Sequence, residues 1–407
     1  MNTTDPIFIN KRPVHCLLYA NDVILLSSSS QGLQNKLNKL TVYCNNWCLN
    51  INVTKTKVLV FNRTGRHFKQ KFLFNGNEIE CVSQYKYLGI KFCASGSFSP
   101  AQKELYSKAL KGYYKLRRDF ISFGPNVKNS IHVFDHTIKP ILLYGSEVWG
   151  YFNPFKKRLQ SNDLVLDQIY LNLEIEKLHI KFSKYILGVN KRATNFATLS
   201  ELGRFPLHFD IIKSMIRYWY RLENLDSNFT LLKDAYEESK KLFEIKIPSW
   251  YGSITLLIKN IRGLKELSNV SKHKFKSSYK DVIYQVYKEN WGKQMLKHSE
   301  GKLCSYSKFK TYFGLEKYLC ILKSFEQRRN FTRFRISSHR LQIERGRYQG
   351  ALRQDILCLR CTSGEIDDEK HFLISCSTCP VIRTEMFSRS NNICQNFHVL
   401  NPEQKLY

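Results

Sequence analysis

Along the first hundred residues short apolar runs alternate with polar turns, and beyond them the apolar spacing lengthens to that of helices. In HCLLYANDVILLSSSS, His15 to Ser30, the apolar positions Val14, Cys16 and Leu18 precede the word Tyr19-Ala20-Asn21-Asp22, and Val23 to Leu26 follow it. This spacing predicts a strand, a tight turn and a second strand, with Asn21 and Asp22 presented at the tip. Ser30 then stands where a helix cap is expected, ahead of Leu33, Leu37, Leu40, Cys44 and Trp47 at helical spacing. A β run is predicted from Lys57 to Phe61. In KFLFNGNEIECV the pair Asn75-Gly76 has the positive-φ residues that a type I′ hairpin demands. YKYLGIKF, Tyr85 to Phe92, predicts another short strand pair. The order of hairpin, helix, strand, hairpin, hairpin predicts an α+β layer built on an antiparallel sheet.

From Ala101 the pattern is helical, with Lys108, Lys111, Lys115 and Arg118 spaced by three or four on one face and Tyr113 and Tyr114 close by. A basic stripe of this kind can track phosphates with little sequence preference. The segment from Phe209 to Ile321 is less informative. RYWYRLENL fits a helix, and the Lys-rich stretch KNIRGLKELSNVSKHKFKSSYKD reads as a basic surface or a partly mobile linker. His273 and His298 stand alone.

Composition sharpens this picture. A chain of 407 residues, 43% hydrophobic and 14% aromatic, can bury a sizeable core in two or three domains. Lys and Arg number 64 against 34 Asp and Glu, so the formal charge of +30 makes a polyanion, nucleic acid first, the expected partner. No run reaches the roughly 18 to 20 apolar residues of a membrane span, and MNTTDP opens no secretory signal. The chain is therefore expected inside the cell, in nucleus or cytoplasm, away from membranes.

Cysteine usage then divides. Cys16, Cys44, Cys48, Cys81, Cys93, Cys304 and Cys320 are scattered and read as reduced core residues. Cys358, Cys361, His371 and Cys376 instead form a C-x2-C-x9-H-x4-C pattern. Two thiolates from a tight knuckle plus an imidazole and a thiolate one turn apart suit a closed, tetrahedral, structural Zn²⁺ site. Cys379 competes with Cys376 for the fourth position. Upstream, RRNFTRFRISSHR mixes Arg333 and Arg335 with Phe331 and Phe334, types that suit phosphate pairing and base stacking. The acidic run Glu365 to Glu369 is expected on a face turned away from nucleic acid.

LLYANDVILLSS resembles the Tyr-x-Asp-Asp box of reverse transcriptases, in particular those of non-LTR, LINE-type retrotransposons. NVTKTKVLVF, with Asn52, Lys55 and Thr56, resembles the next motif of that group, and Tyr87, Leu88 and Gly89 of YKYLGIKF resemble its primer grip. FDHTIKPILLYGSEVWG and FSKYILGVNKRATNFATLSELGRFPL look like thumb and post-thumb segments, and RFRISSHRLQIERGRY with its cysteine cluster looks like the C-terminal region. The resemblance implies a truncated palm with primer-grip hairpin over 1–100 and a thumb-like helical region over 101–208. A helical linker over 209–327 and a basic segment with a zinc knuckle over 328–407 complete the division. It also implies an RNA template and a DNA primer or target as partners, Mg²⁺ at the catalytic centre, and Lys55 as proton donor to the leaving pyrophosphate.

Two departures from the family bear on activity. Nucleotidyl transfer by two divalent ions needs several convergent carboxylates. The first Asp of the box is here Asn21, a neutral amide, which leaves Asp22 as its single carboxylate. The motifs that carry the partner Asp would lie before Met1. The expectation is a fragment of a retrotransposon RNA-directed DNA polymerase, inactive alone. The alternative is a non-catalytic nucleic-acid- and zinc-binding protein derived from a transposable element. An unpaired palm-sheet edge would invite association with other chains.

Overall fold

The structure is a computed structural model. It describes residues 5–401 except 63, 67–69, 124–125, 157–165, 167–168, 171–172, 227, 229 and 299–300, together with residue 405. The fold is mixed and mostly helical. Among the described residues ten short strands form five two-stranded sheets, four antiparallel and one parallel. The chain divides into two compact units made of interleaved stretches, the first from Met1–Gly112, His136–Ile175 and Leu207–Ile283, the second from Tyr113–Asp135, Glu176–Pro206 and Tyr284–Tyr407.

In the first unit β1 (Ile7–Ile9) pairs with β2 (Arg12–Val14), and the turn between them is fastened by Arg12 to Asp234 on the helix Thr230–Glu244. β3 (Cys16–Tyr19) and β4 (Asp22–Leu25) form the predicted hairpin, in register Tyr19↔Asp22, with Ala20 held at a φ of 51° that favours glycine. Leu18, Tyr19 and Val23 are 70%, 61% and 52% exposed, so this hairpin projects apolar side chains into solvent. The helix α1 (Ser30–Asn46) starts one residue earlier than expected at its cap. Ser29, in extended conformation, accepts from the Gly32 amide at 3.1 Å, and Ser30 is the first helical residue.

The stripe on α1 packs as predicted for Leu37 and Cys44, which join Val58, Phe72, Phe74 and Ile79 in one core with Leu33 and Leu40 at its margin. Trp47 leaves this core. It follows the helix end, is 67% exposed and rests against Tyr43. The β run near Lys57 shrinks to β5 (Val58–Leu59), which pairs in parallel with β8 (Cys81–Val82). β6 (Phe72–Phe74) and β7 (Asn77–Ile79) are joined by Asn75 and Gly76 at φ 50° and 77°, the double positive φ of a type I′ turn. β9 (Gln84–Tyr87) and β10 (Ile90–Cys93) repeat the device with Leu88 and Gly89 at 45° and 82°. Gly89 is also required by space, because a Cβ there would lie 3.0 Å from the Tyr144 ring.

α2 (Ser99–Phe123) sets Ala101, Leu105, Ala109 and Tyr113 on its buried side, four residues apart. Further along, the helix His208–Glu223 buries Ile211, Ile212, Met215, Ile216 and Trp219. The Lys-rich stretch read from sequence as a basic surface or mobile linker is ordered. It enters the helix Lys272–Lys297, whose Phe275 stacks on Tyr220 with ring centroids 3.7 Å apart.

The second unit is organised by buried ions. Glu201, fully buried on the helix Asn195–Glu201, receives Arg335 Nη2 at 3.1 Å and the Tyr318 hydroxyl at 2.5 Å. Arg335 also meets Glu316 at 3.1 Å, and Glu316 takes the Lys310 ammonium at 2.5 Å. Two carboxylates thus neutralise two cations out of water, the condition under which buried charge is tolerated. A second set joins Arg204, paired with both Asp135 oxygens at 3.1 and 2.7 Å, to His179 Nε2 at 2.8 Å. Burial and Arg204 lower the His179 pKa, so the ring stays neutral and its Nδ1–H faces Glu176 at 2.9 Å.

Replacing Glu201 by Ala removes one of the two carboxylates, each 3.1 Å away, that neutralise buried Arg335 and leaves Glu316 shared between Arg335 and Lys310. The expected loss is about 3–5 kcal/mol of stability in thermal or denaturant unfolding. The double change Glu201→Leu with Arg335→Met should recover most of it, whereas a single-variant loss below about 1 kcal/mol contradicts a structural role for the pair.

Candidate metal centre

Four ligand atoms converge near the C-terminus: the sulfurs of Cys358, Cys361 and Cys376 and a ring nitrogen of His371, all within 4.8 Å of one another. Cys358 Sγ lies 3.9 Å from Cys376 Sγ, and Cys361 Sγ lies 3.3 Å from His371 Nε2. A tetrahedral zinc ion with ordinary bond lengths separates its sulfurs by about 3.8 Å and sulfur from nitrogen by about 3.5 Å. The donor set and its spacing therefore fit such an ion. Geometry also chooses between the competing cysteines, since Cys376 is in the cluster and Cys379 is exposed outside it.

Local chain chemistry explains the convergence. A bridge between Leu357 and Ile366 closes a small hairpin, and the Cys358 amide donates to the Glu365 carbonyl at 2.9 Å, which places the Cys-x2-Cys knuckle at the turn. His371 and Cys376 are five residues apart, too many for one α turn. The segment His371–Ser375 accordingly forms a single π turn, with the Cys376 amide donating to the His371 carbonyl at 2.8 Å. Asp368 caps this turn by accepting from the His371 amide at 3.0 Å.

The imidazole is fixed from behind. His371 Nδ1 lies 2.8 Å from a Glu365 oxygen and 3.2 Å from Ser375 Oγ, and the Ser375 hydroxyl donates to the same carboxylate at 2.8 Å. This leaves Nε2 free to bind a metal, the arrangement that orients metal-ligating histidines generally. Burial works against protonation of His371, but Glu365 and the Cys361 thiol outweigh it and hold its pKa above the ordinary value. Ser363, through its hydroxyl and its amide, draws the Cys361 thiol down to about 6. Such a closed four-ligand site is structural and leaves no position for substrate.

The acidic run does not turn away as a solvated face. Glu365 supports the ligand His371, and Asp367 and Glu369 are buried. Asp367 accepts from the Gln342 amide at 2.7 Å and its carbonyl from the Ile343 amide at 3.2 Å, capping the helix Gln342–Gln349. Glu369 sits 2.8 Å from His339 and accepts from Ser337 at 2.9 Å. Burial alone would raise its pKa, and these partners hold it at about 2 instead.

The other sequence-predicted residues are dispersed. Asn21 and Asp22 lie exposed at the β3–β4 turn, and among the described residues the C-terminal cluster is the one group of three or more His, Cys, Asp or Glu placed to share a metal. Lys55 is exposed in a turn ordered by Asn52, whose side chain accepts from the Lys55 amide at 3.0 Å, and the Tyr85 hydroxyl reaches the Lys55 carbonyl at 3.2 Å. Lys55 is thereby tied to the β9–β10 hairpin of Tyr87, Leu88 and Gly89, which Tyr144 grips by donating to the Leu88 carbonyl at 3.0 Å. Lys108, Lys111, Lys115 and Arg118 are exposed on α2, with Lys108 2.8 Å from Glu104.

The stretch around Arg333 and Arg335 is mostly structural. Arg335 is buried against Glu201, Arg333 Nε donates to the Gly188 carbonyl at 2.9 Å, and Phe334 packs on the small core of Leu341, Ile343 and Ile356. Arg335 is committed to internal carboxylates and does not present a phosphate contact. Sequence reasoning missed Glu201, because Thr198 and Ser200 beside it give the stretch Ala197–Leu202 no apolar run to mark it as buried.

With this geometry in place the chain can be set beside known proteins. No family model matches it. It is 30% identical over 142 residues to a protein named as a probable RNA-directed DNA polymerase from transposon BS of Drosophila melanogaster, a match covering 32% of this chain and 16% of that protein. It is 28% identical over 163 residues to the RNA-directed DNA polymerase from mobile element jockey of Drosophila melanogaster, covering 37% and 17%. Over about a third of its length the chain is similar to RNA-directed DNA polymerases of transposons, and it spans less than a fifth of the length of those two proteins. A transposon-derived protein of Caenorhabditis elegans matches at 26% over 162 residues, 39% of this chain and 57% of that protein. Among the described residues no helix is long and apolar enough to cross a membrane.

Truncating Glu365 to Ala should lower the zinc affinity of this chain by about 10–100-fold, read by competition with a chromophoric chelator. Cys379→Ser should leave affinity unchanged, and equal losses in the two variants contradict the assigned ligand set. Affinity should also fall as pH drops, first as His371, held above its ordinary pKa, takes up a proton and then through about 6 as Cys361 does, both in competition with the metal.

Proposed function

We propose that this chain is a nucleic-acid-binding derivative of a retrotransposon RNA-directed DNA polymerase, folded at its C-terminal end around a structural zinc ion and unable to catalyse nucleotidyl transfer by itself. The observation that carries the reading is the word Tyr19-Ala20-Asn21-Asp22 at the tip of an exposed hairpin. An amide at the first acidic position offers one neutral oxygen to a cation, whereas two Mg²⁺ ions in contact with triphosphate need several charged ligands. The polymerase relatives and the charge of +30 support nucleic acid as partner, RNA template and DNA primer or target in the first instance. The palm-like, thumb-like, linker and knuckle segments, with the Tyr87–Gly89 turn as a primer-grip relic, follow from the same reading.

The exposed β3–β4 hairpin favours a second reading, in which another chain pairs with this edge and supplies the missing acids. Leu18, Tyr19 and Val23 are the side chains such a partner would cover.

Primer extension on an RNA template with Mg²⁺ or Mn²⁺ tests the proposal. The unmodified chain and Asn21→Asp should both bind the template and extend nothing, with one zinc per chain. Extension by the unmodified chain contradicts the proposal. Extension that appears only when a second polymerase-derived chain is added supports the second reading.

A further inference from the structure

The second unit carries cations and tyrosines that the polymerase resemblance did not single out. Lys181, exposed, and Lys184, half-buried, stand three residues apart on the helix Glu174–Leu187. Lys181 donates to the Tyr114 hydroxyl at 2.6 Å and lies 4.6 Å from that ring's centre, and Tyr114 is 44% exposed. One turn on, Tyr185 has the Arg117 guanidinium 4.8 Å over its ring. Lys184 donates to the Lys191 carbonyl at 2.8 Å, next to Arg192. Arg192 and Lys302 both approach the ring of Tyr348, at 5.2 and 5.6 Å, and Tyr348 is 57% exposed. These contacts chain together from Arg117 to Tyr348.

The charge along them is not cancelled. Lys302 pairs with Glu344 at 2.9 Å, but Glu344 also receives Arg347, so that trio keeps one positive charge. Lys184 is pushed below its ordinary pKa by burial and by the nearness of Lys302. Like charges held together in this way are relieved by a bound anion. Exposed rings set between cations suit unpaired bases, which stack on aromatic faces while their phosphates follow the positive groove.

We infer that Tyr114, Lys181, Lys184, Arg192, Lys302 and Tyr348 form a track that binds single-stranded nucleic acid. The inference rests on the proposed nucleic-acid-binding function and assigns it a place and a strand class. The track shares Tyr114 with the helix that carries Lys108 to Arg118 and extends from it to a second exposed ring, Tyr348.

The test uses the full chain and a fluorescent single-stranded RNA of mixed sequence, titrated by anisotropy at several salt concentrations, with the same RNA in duplex form beside it. Lys181→Ala combined with Lys184→Ala should weaken single-strand binding by about tenfold and reduce the salt slope by about two. Tyr348→Ala should weaken it by about tenfold with the slope unchanged. Lys288→Ala combined with Lys297→Ala removes the same charge from exposed positions of the same unit and should change affinity less than about threefold. Circular dichroism of each variant excludes misfolding as the cause. Equal losses from the two lysine pairs, or duplex bound as tightly as single strand, overturn the track. Failure of the unmodified chain to bind either form overturns the proposed function itself.

Discussion

A carboxylate with no access to water must be neutralised, and in the second unit Glu201 imposes that requirement on three separate stretches of chain. Arg335 meets it from the helix Phe325–Arg335, Tyr318 from a short helix, and Glu316 with Lys310 balances the surplus. The consequence is positional. Arg335 fixes the end of a helix whose next residues, Ser337 and His339, hold Glu369, and Glu369 belongs to the loop that carries the metal ligands. Removing such a pair costs more than it contributes, because the survivor is left buried and charged.

The same economy runs through the acidic residues generally. The chain has 34 of them against 64 basic ones, and the buried ones have structural tasks: Asp367 caps a helix, Glu369 ties the metal loop, Glu344 balances Lys302 and Arg347. Each of these carboxylates is matched by a cation or a hydrogen-bond donor inside the fold, so the surface keeps the positive excess of the composition. A polymerase palm spends its carboxylates on metal ions instead, and at the hairpin where that would happen this chain has Asn21 beside a single exposed Asp22.

Much of this was legible in the sequence. The type I′ turn at Asn75-Gly76 follows from residues that tolerate positive φ, and the cluster of three cysteines and one histidine follows from spacing, because both depend on neighbours in the chain. The positive φ of Leu88, by contrast, is not a preference of leucine, and only the strand pair around it was legible. Two kinds of feature were not legible. Trp47 and the cap at Ser29 shifted because the ends of helices are decided by local bonding that periodicity does not see. Arg335 and the run Glu365 to Glu369 read as surface charge, since partners outside the local window, Glu201 134 residues from Arg335 and His339 30 residues from Glu369, leave no mark on local pattern.

The metal loop and the nucleic-acid track meet in one element. Asp367 caps the helix Gln342–Gln349, and that helix presents Glu344 and Tyr348. Zinc binding should therefore order the surface proposed to hold nucleic acid. The most direct test is RNA affinity of the full chain loaded with zinc and then stripped by a chelator and reloaded. The account predicts a loss of about tenfold or more on stripping, recovered on reloading. Equal affinity in the loaded and stripped forms would contradict it.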